Sequence, residues 1–221
     1  DIQSTDITRI GDQAFYESNI TSFTIGEKVE SIGSWAFAKT PNLTTVVNNS
    51  AVLKTIGDYA FYQSAIRSFT INETVESIGK YAFAETSALS TVTNNSTALK
   101  SIATYTFYKS MITSFELNEG LESIELYAFR SASKLTTLIN NATTLKSIGD
   151  YAFMSTAVTE FTFGENLTSV GPGIFYGNAT NVTVPFAEGE LPAGWSSSWN
   201  NKNTGVVTYA PASVEEGGET A

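Results

Sequence analysis

The sequence predicts an α/β repeat solenoid, a chain wound into stacked rungs with a parallel β-sheet on its concave side and short helical turns opposite. Three observations lead there. An apolar signature, usually Ile-Gly-x-x-Ala-Phe, recurs eight times and places Phe at positions 15, 37, 61, 83, 107, 129, 153 and 175 of the 221-residue chain. The gaps between these positions alternate between 22 and 24, so the unit is a 46-residue pair of unlike rungs. A rung this short cannot bury its own apolar side, so neighbours must stack and share one continuous core.

Each element follows from its place in the repeat. Five residues before every signature Phe stands Ile10, Ile32, Ile56, Ile78, Ile102, Ile124, Ile148 or Val170. Three residues earlier comes Ile7, Val29, Leu53, Val75, Leu99, Leu121, Leu145 or Leu167. Between signatures run short β-prone segments such as Ile20 to Ile25, Leu43 to Val46 and Ile66 to Ile71. Their fourth and sixth residues point inward and their third and fifth outward, by the two-residue period of a strand. The signature itself, with its helix-compatible Ala, is read as a helical turn that drives Phe into the core from the other side. Stretches of the Val-Glu-Ser-Ile type are expected to pair as a weak second ladder. The buried set is Ile10, Phe15, Phe23, Ile32, Phe37, Ile56, Phe61, Phe69, Ile78, Phe83, Ile102, Phe107, Phe115, Ile124, Phe129, Ile148, Phe153 and Phe161.

The order L-x-x-I-x-x-x-A-F, followed by L-x-x-F/V-x-I, resembles the BspA-like, treponemal-type leucine-rich-repeat proteins of bacterial cell surfaces over residues 7 to 186. The resemblance implies a right-handed leucine-rich-repeat superhelix. Two features depart from the family. Where Cys often follows the signature Phe by three residues, this chain has Ser18, Thr40, Ser64, Thr86, Ser110, Ala132, Thr156 and Asn178. Where Pro often follows the strand it has Gly26, Asn72, Asn118 and Gly164. Both departures concern the turns.

The ends break the rhythm. Residues 1–186 are assigned to about eight solenoid rungs, and 187–211, with Trp195 and Trp199, to a C-terminal cap of the kind an open solenoid end requires. Residues 212–221 read as an acidic tail or linker. No comparable cap precedes Ile7. No charged-then-apolar leader opens the chain at Asp1, so a secretion leader is expected to have been removed or to lie upstream.

Composition excludes several function classes. With no His and no Cys there is no Ser-His-Asp or Cys-His triad, no His-ligated metal and no disulfide. A net charge of -10 argues against nucleic acid, which is bound by Lys and Arg neutralising phosphates. No apolar run reaches 18 residues, so no direct membrane insertion is expected. No cofactor is implied.

Stacking turns each repeat position into a column. Glu30, Lys54, Glu76, Lys100, Glu122 and Lys146 alternate in sign and are read as a solvated ladder that fixes register. Glu27, Glu73, Glu119 and Glu165 recur on alternate rungs, about 10 Å apart, a poor calcium cage, and are read as a solvated turn with weak cation binding as the alternative. Asn48, Asn94 and Asn140 take an inward position and are expected to satisfy backbone groups. Two of them, in Asn48-Asn-Ser and Asn94-Asn-Ser, match glycosylation sequons that a chain rich in Asn, Ser and Thr supplies by chance. The aromatics Trp35, Tyr59, Tyr81, Tyr105, Tyr127 and Tyr151 are read as an outer cover with wet hydroxyls.

The outward strand positions carry the binding candidates Thr70, Thr91, Thr93, Glu116, Ile139 and Glu160, and Arg67, on the same run as Thr70, adds a positive member, so that one base, two acids and one apolar residue interrupt a Ser/Thr face. By resemblance this is a secreted or cell-surface adhesion module, not an enzyme, that binds a host or bacterial surface protein or glycan as a monomer. The alternatives are a structural spacer, an ice-binding lattice of hydroxyls, and a two-carboxylate glycosidase. For the last, Glu116 and Glu160 would have to work about two rungs apart on an open face.

Overall fold

A computed structural model of the chain describes residues 7–212, so residues 213–221, nearly all of the expected tail, lie outside the described residues. Short and long strands alternate along the chain. They are β1 (Arg9–Ile10), β2 (Ser22–Ile25), β3 (Ser31–Ile32), β4 (Thr45–Asn48), β5 (Thr55–Ile56), β6 (Ser68–Ile71), β7 (Ser77–Ile78), β8 (Thr91–Asn94) and β9 (Ser101–Ile102). The second half continues with β10 (Ser114–Leu117), β11 (Ser123–Ile124), β12 (Thr137–Asn140), β13 (Ser147–Ile148), β14 (Glu160–Thr162), β15 (Ser169–Val170), β16 (Asn181–Ala187), β17 (Gly194–Trp195) and β18 (Val207–Ala210). All pairings are parallel and join strands one rung apart.

The expected second ladder is present on the short-strand side, as β1-β3-β5-β7 and β17-β15-β13-β11-β9. The long strands pair as the doublets β2-β4, β6-β8 and β10-β12 and the triplet β14-β16-β18. Packing explains the doublet. Phe23 sits against Phe15 and Phe37, Phe69 against Phe61 and Phe83, and Phe115 against Phe107 and Phe129, with centroids 4.9–5.2 Å apart. Each strand Phe therefore wedges between the two signature rings of its own doublet. The even rungs offer the smaller Val46, Val92 and Leu138 at the same place. The signature rings themselves stack in one column at 5.1–5.5 Å, and from Phe37 to Phe175 they are fully buried. Phe15 and Phe23 depart from the expected core: both are only half-buried, because among the described residues rung one has a neighbour on one side alone.

The helical turns are a correction. Among the described residues no helix forms, and the signature stretch is a chain of β-turns. In rung one the N–H groups of Gln13, Phe15 and Glu17 donate to Ser34, Ala36 and Ala38 of the next rung, while those of Ala14, Tyr16 and Ser18 close local turns onto Gly11, Gln13 and Phe15. A helix would have aimed its N–H groups along its own axis, onto carbonyls four residues back, and none at the next rung. The turns need positive φ two residues before and two after each Phe. They find it at non-glycine residues, for example Trp35 (59°) and Lys39 (54°), then Tyr59 (57°) and Gln63 (54°). A left-handed L-residue costs about 1–2 kcal/mol, and here the inter-rung hydrogen bonds and ring stacking offset it.

At the far end Trp195 pairs with Val170 and takes the Ile position of a further coil, while its indole N–H donates to Leu167 O at 3.1 Å. Phe163, Trp195 and Trp199 meet edge to face at 5.0–5.6 Å, and both Trp side chains are buried.

Candidate binding surface

The long strands present one continuous open face, and most of the sequence-derived candidates stand on it. Thr70 is in register with Thr93, and Glu116 with Ile139, so these four form one column across β6, β8, β10 and β12. Thr93, Glu116 and Ile139 are exposed and Thr70 is half-buried. Thr91 is exposed beside Ser68 in the adjacent column, and Glu160 is exposed opposite Asn181 at the start of β14. Arg67 precedes β6 and is exposed. Its backbone is fixed, with N–H donating to Thr44 O at 3.3 Å and the carbonyl accepting from Ser90 N–H at 3.0 Å. Glu116 and Glu160 belong to different columns two rungs apart, so the face does not bring two carboxylates together around one substrate atom.

What the sequence missed is the rim at the strand ends. Asn141 donates its amide to a carboxylate oxygen of Glu116, which ties that acid toward the edge of the face. Beside it a shallow depression is lined by Glu73, Asn94, Asn95, Glu116, Asn118 and Glu119. Its signal in the sequence was the second Asn of each Asn-Asn pair, which follows the inward one and so lies on the outer side. Among the described residues no group of three or more carboxylates could hold a metal ion.

The Asn column bridges doublets. Asn48, Asn94 and Asn140 donate to Thr70 O, Glu116 O and Thr162 O at 3.0–3.1 Å, and their side-chain oxygens accept from the N–H groups of Ser50, Ser96 and Ala142 at 3.2 Å. Where the backbone ladder lapses between doublets, a side-chain amide takes its place.

On the turn side Trp35, Tyr59, Tyr81, Tyr105, Tyr127 and Tyr151 stack face to face at 4.2–5.6 Å. Each ring face is covered by the next ring. All six rings are half-buried, and the stacking leaves the inner members of the column no face on which a sugar could stack. Burial pushes the Tyr81 hydroxyl above the usual phenol range. Lys39 donates to Tyr16 Oη at 2.8 Å and to Glu17 at 3.0 Å, and these bonds hold its ammonium above the ordinary lysine range. The alternating ladder forms as Lys54–Glu76 at 3.6 Å, Lys100–Glu122 at 3.7 Å and Lys146–Glu122 at 2.9 Å. The Lys146 hydrogen bond, with the charge of Lys146 and of Lys100, lowers the Glu122 carboxyl. All of these ionic groups are exposed, so they set register more than they stabilise.

The family model for the BspA type leucine rich repeat region matches six copies, over residues 1–91 and 54–182. The chain belongs to the BspA-type leucine-rich-repeat family. A leucine-rich repeat protein from Bacteroides ovatus is similar in fold, with a TM-score of 0.78 at 24% identity over 94% of this chain and 54% of that one. This BspA-type chain thus spans about half the length of that protein. A leucine rich cell surface protein from Faecalibacterium prausnitzii is 20% identical over 93% of this chain and 64% of that chain, with a TM-score of 0.44. The pneumococcal vaccine antigen PcpA is 15% identical over 93% of this chain and 85% of that chain, at a TM-score of 0.37. No curated protein matches the BspA-type chain. Among the described residues no helix is long and apolar enough to cross a membrane.

Proposed function

We propose that this BspA-type chain is a non-enzymatic binding module of a secreted or cell-surface protein, and that its long-strand face receives a protein on a host or bacterial surface. One observation carries the reading. Val47 and Ile139 occupy outward strand positions with 44% and 46% of their surface exposed, in a column otherwise made of Thr and Glu. A strand face that only had to be soluble would keep Thr there, as it does at Thr24, Thr93 and Thr162. Ile139, in register with Glu116 and on the same face as Arg67, puts an apolar contact beside charges of both signs, the kind of distinctive centre that a specific contact surface holds within a tolerant polar rim. Val47 and Ile139 favour a protein over a glycan, since a sugar is gripped by free aromatic faces and this surface has none. They also interrupt a hydroxyl lattice for ice. Family membership supports the extracellular location.

The test is attachment to matrix-protein-coated surfaces by the parent chain and by the quadruple variant R67S/T93S/E116S/I139S. The variant is expected to unfold thermally within a few degrees of the parent and to lose attachment. Undiminished attachment by the folded variant would move the site to the turn side or to the Trp195 end. No attachment by the parent would favour a spacer.

A further inference from the structure

The junction between the fourth and fifth rungs differs from all others. On the long-strand face β8 and β10 adjoin without a ladder, as do the other between-doublet neighbours. Among the described residues only here does the short-strand ladder lapse as well, between Ile78 and Ile102. At the remaining junctions the residue after the short strand donates to the Ile or Val one rung back, as in Gly79 N–H to Ile56 O and Glu125 N–H to Ile102 O. Neither that bond, from Ala103, nor the one from Lys100 N–H to Glu76 O is made. The Glu76–Lys100 ion pair is unmade here, as is Glu30–Lys54 earlier in the stack, so the charge ladder neither bridges this junction nor singles it out. The Phe83–Phe107 spacing of 5.5 Å is the widest in the ring column. On the turn side the rungs stay joined, by Tyr81, Phe83 and Glu85 N–H to Thr104, Thr106 and Tyr108 O at 3.2, 2.9 and 2.7 Å.

Two substitutions in the repeat account for the gap. Rung five reads Ile102-Ala-Thr-Tyr-Thr-Phe107, with Ala103 in the Gly column and Thr106 in the Ala column. A Cβ built at Gly57 would lie 2.6 Å from Ser34 N, so a methyl in this column pushes the preceding rung away. Glu125 shows the effect of a Cβ alone: its ladder bond survives at 2.9 Å while the turn bond from Tyr105 N–H to Leu126 O stretches to 3.2 Å. Thr106 adds bulk in the inner column, and its hydroxyl reaches across to Gly79 O at 3.3 Å.

We propose that this junction is a hinge. The rungs up to Val92 and those from Ile102 onward are two stiff blocks, joined on the turn side by the backbone ladder, by the Thr106 hydroxyl to Gly79 O and by the Lys109–Glu85 pair at 3.7 Å, and on the long-strand side by Thr113 N–H to Ser90 O at 3.1 Å and the Asn94 and Asn118 amides, so that they open along the short-strand side. Bending there changes the spacing between Thr93 and Glu116, and so lets the long-strand face adjust its curvature to what it meets. The proposal does not depend on which ligand is bound.

The chain has no Cys, so spin labels can be placed without background. The pairs S22C/T91C and S68C/T137C lie in one column and each span three junctions, about 15 Å by strand spacing; only the second crosses the hinge. Dipolar EPR is expected to give a broader distance distribution for S68C/T137C, and the added change A103G/T106A, which restores the common signature, is expected to narrow it to that of S22C/T91C. Amide exchange at Lys100 and Ala103 should be at least about 100-fold faster than at Glu122 and Glu125 and should slow in A103G/T106A, with A103G alone as the milder control. Equal widths for the two pairs in the parent, or a width that the restored signature leaves unchanged, would overturn the hinge.

Discussion

Ser64 and Thr86 occupy the same column, yet their hydroxyls meet different fates. Thr40 and Thr86 donate through Oγ1 to Phe37 O and Phe83 O at 2.7 Å, whereas in the Ser rungs the backbone N–H of Ser64 takes Phe61 O at 3.1 Å. The buried hydroxyls of Ser64 and Ser110 are left without a partner. A buried hydroxyl that makes no bond is a net cost, so removing it loses nothing in the folded state. Ser64→Ala is expected to be neutral or to stabilise by up to ~1 kcal/mol, and Thr86→Ala to destabilise by ~1–3 kcal/mol. Urea unfolding of the two variants checks this. A clear loss in Ser64→Ala would show that the hydroxyl has a partner after all.

At the scale of elements, the strands were legible and the turns were not. Alternation in runs such as Ile66 to Ile71 marks which side is buried, and Phe69 and Ile71 are buried while Ser68 is exposed. The turns failed because their left-handed positions are held by Trp35, Tyr59, Tyr81 and Lys39. Glycine is the usual sequence sign of positive φ, and at the signature positions only Gly173 and Gly177, in the eighth rung, supply it, Gly120 and Gly189 lying in other turns. The conformation is imposed by neighbouring rungs, through bonds no single repeat displays. The Asn column, in contrast, could be read, because an amide at an inward strand position must find partners. Removing one tests its weight. Asn94→Ala frees Glu116 O and Ser96 N–H at the most weakly joined junction and should cost ~1–3 kcal/mol. Calorimetric melting of that variant beside Asn95→Ala, an exposed neighbour, is the comparison; equal melting temperatures would remove the Asn bridge from the account.

For the whole molecule, what matters is that each rung is stable only through its neighbours. The candidate surface inherits this property. Its column was predictable from strand alternation, whereas the tie between Glu116 and Asn141 and the gap beside Ala103 depend on inter-rung distances that a one-dimensional repeat does not encode. Position along the stack should therefore decide the cost of an identical change. Phe83 is fully buried between Phe61 and Phe107 and also touches Phe69, so Phe83→Ala leaves a cavity enclosed on both sides and should cost ~3–5 kcal/mol. Phe15 in rung one stacks on Phe37 at 5.1 Å and touches Phe23, but among the described residues it has no ring beyond it, and it is only half-buried. Its truncation loses less transfer free energy and opens toward solvent, so Phe15→Ala should cost less than half as much as Phe83→Ala. Chemical denaturation of both variants under one set of conditions gives the ratio. Equal losses would mean that the first rung is covered as well as the fourth, and a loss below ~1 kcal/mol for Phe83→Ala would remove the ring column from the core.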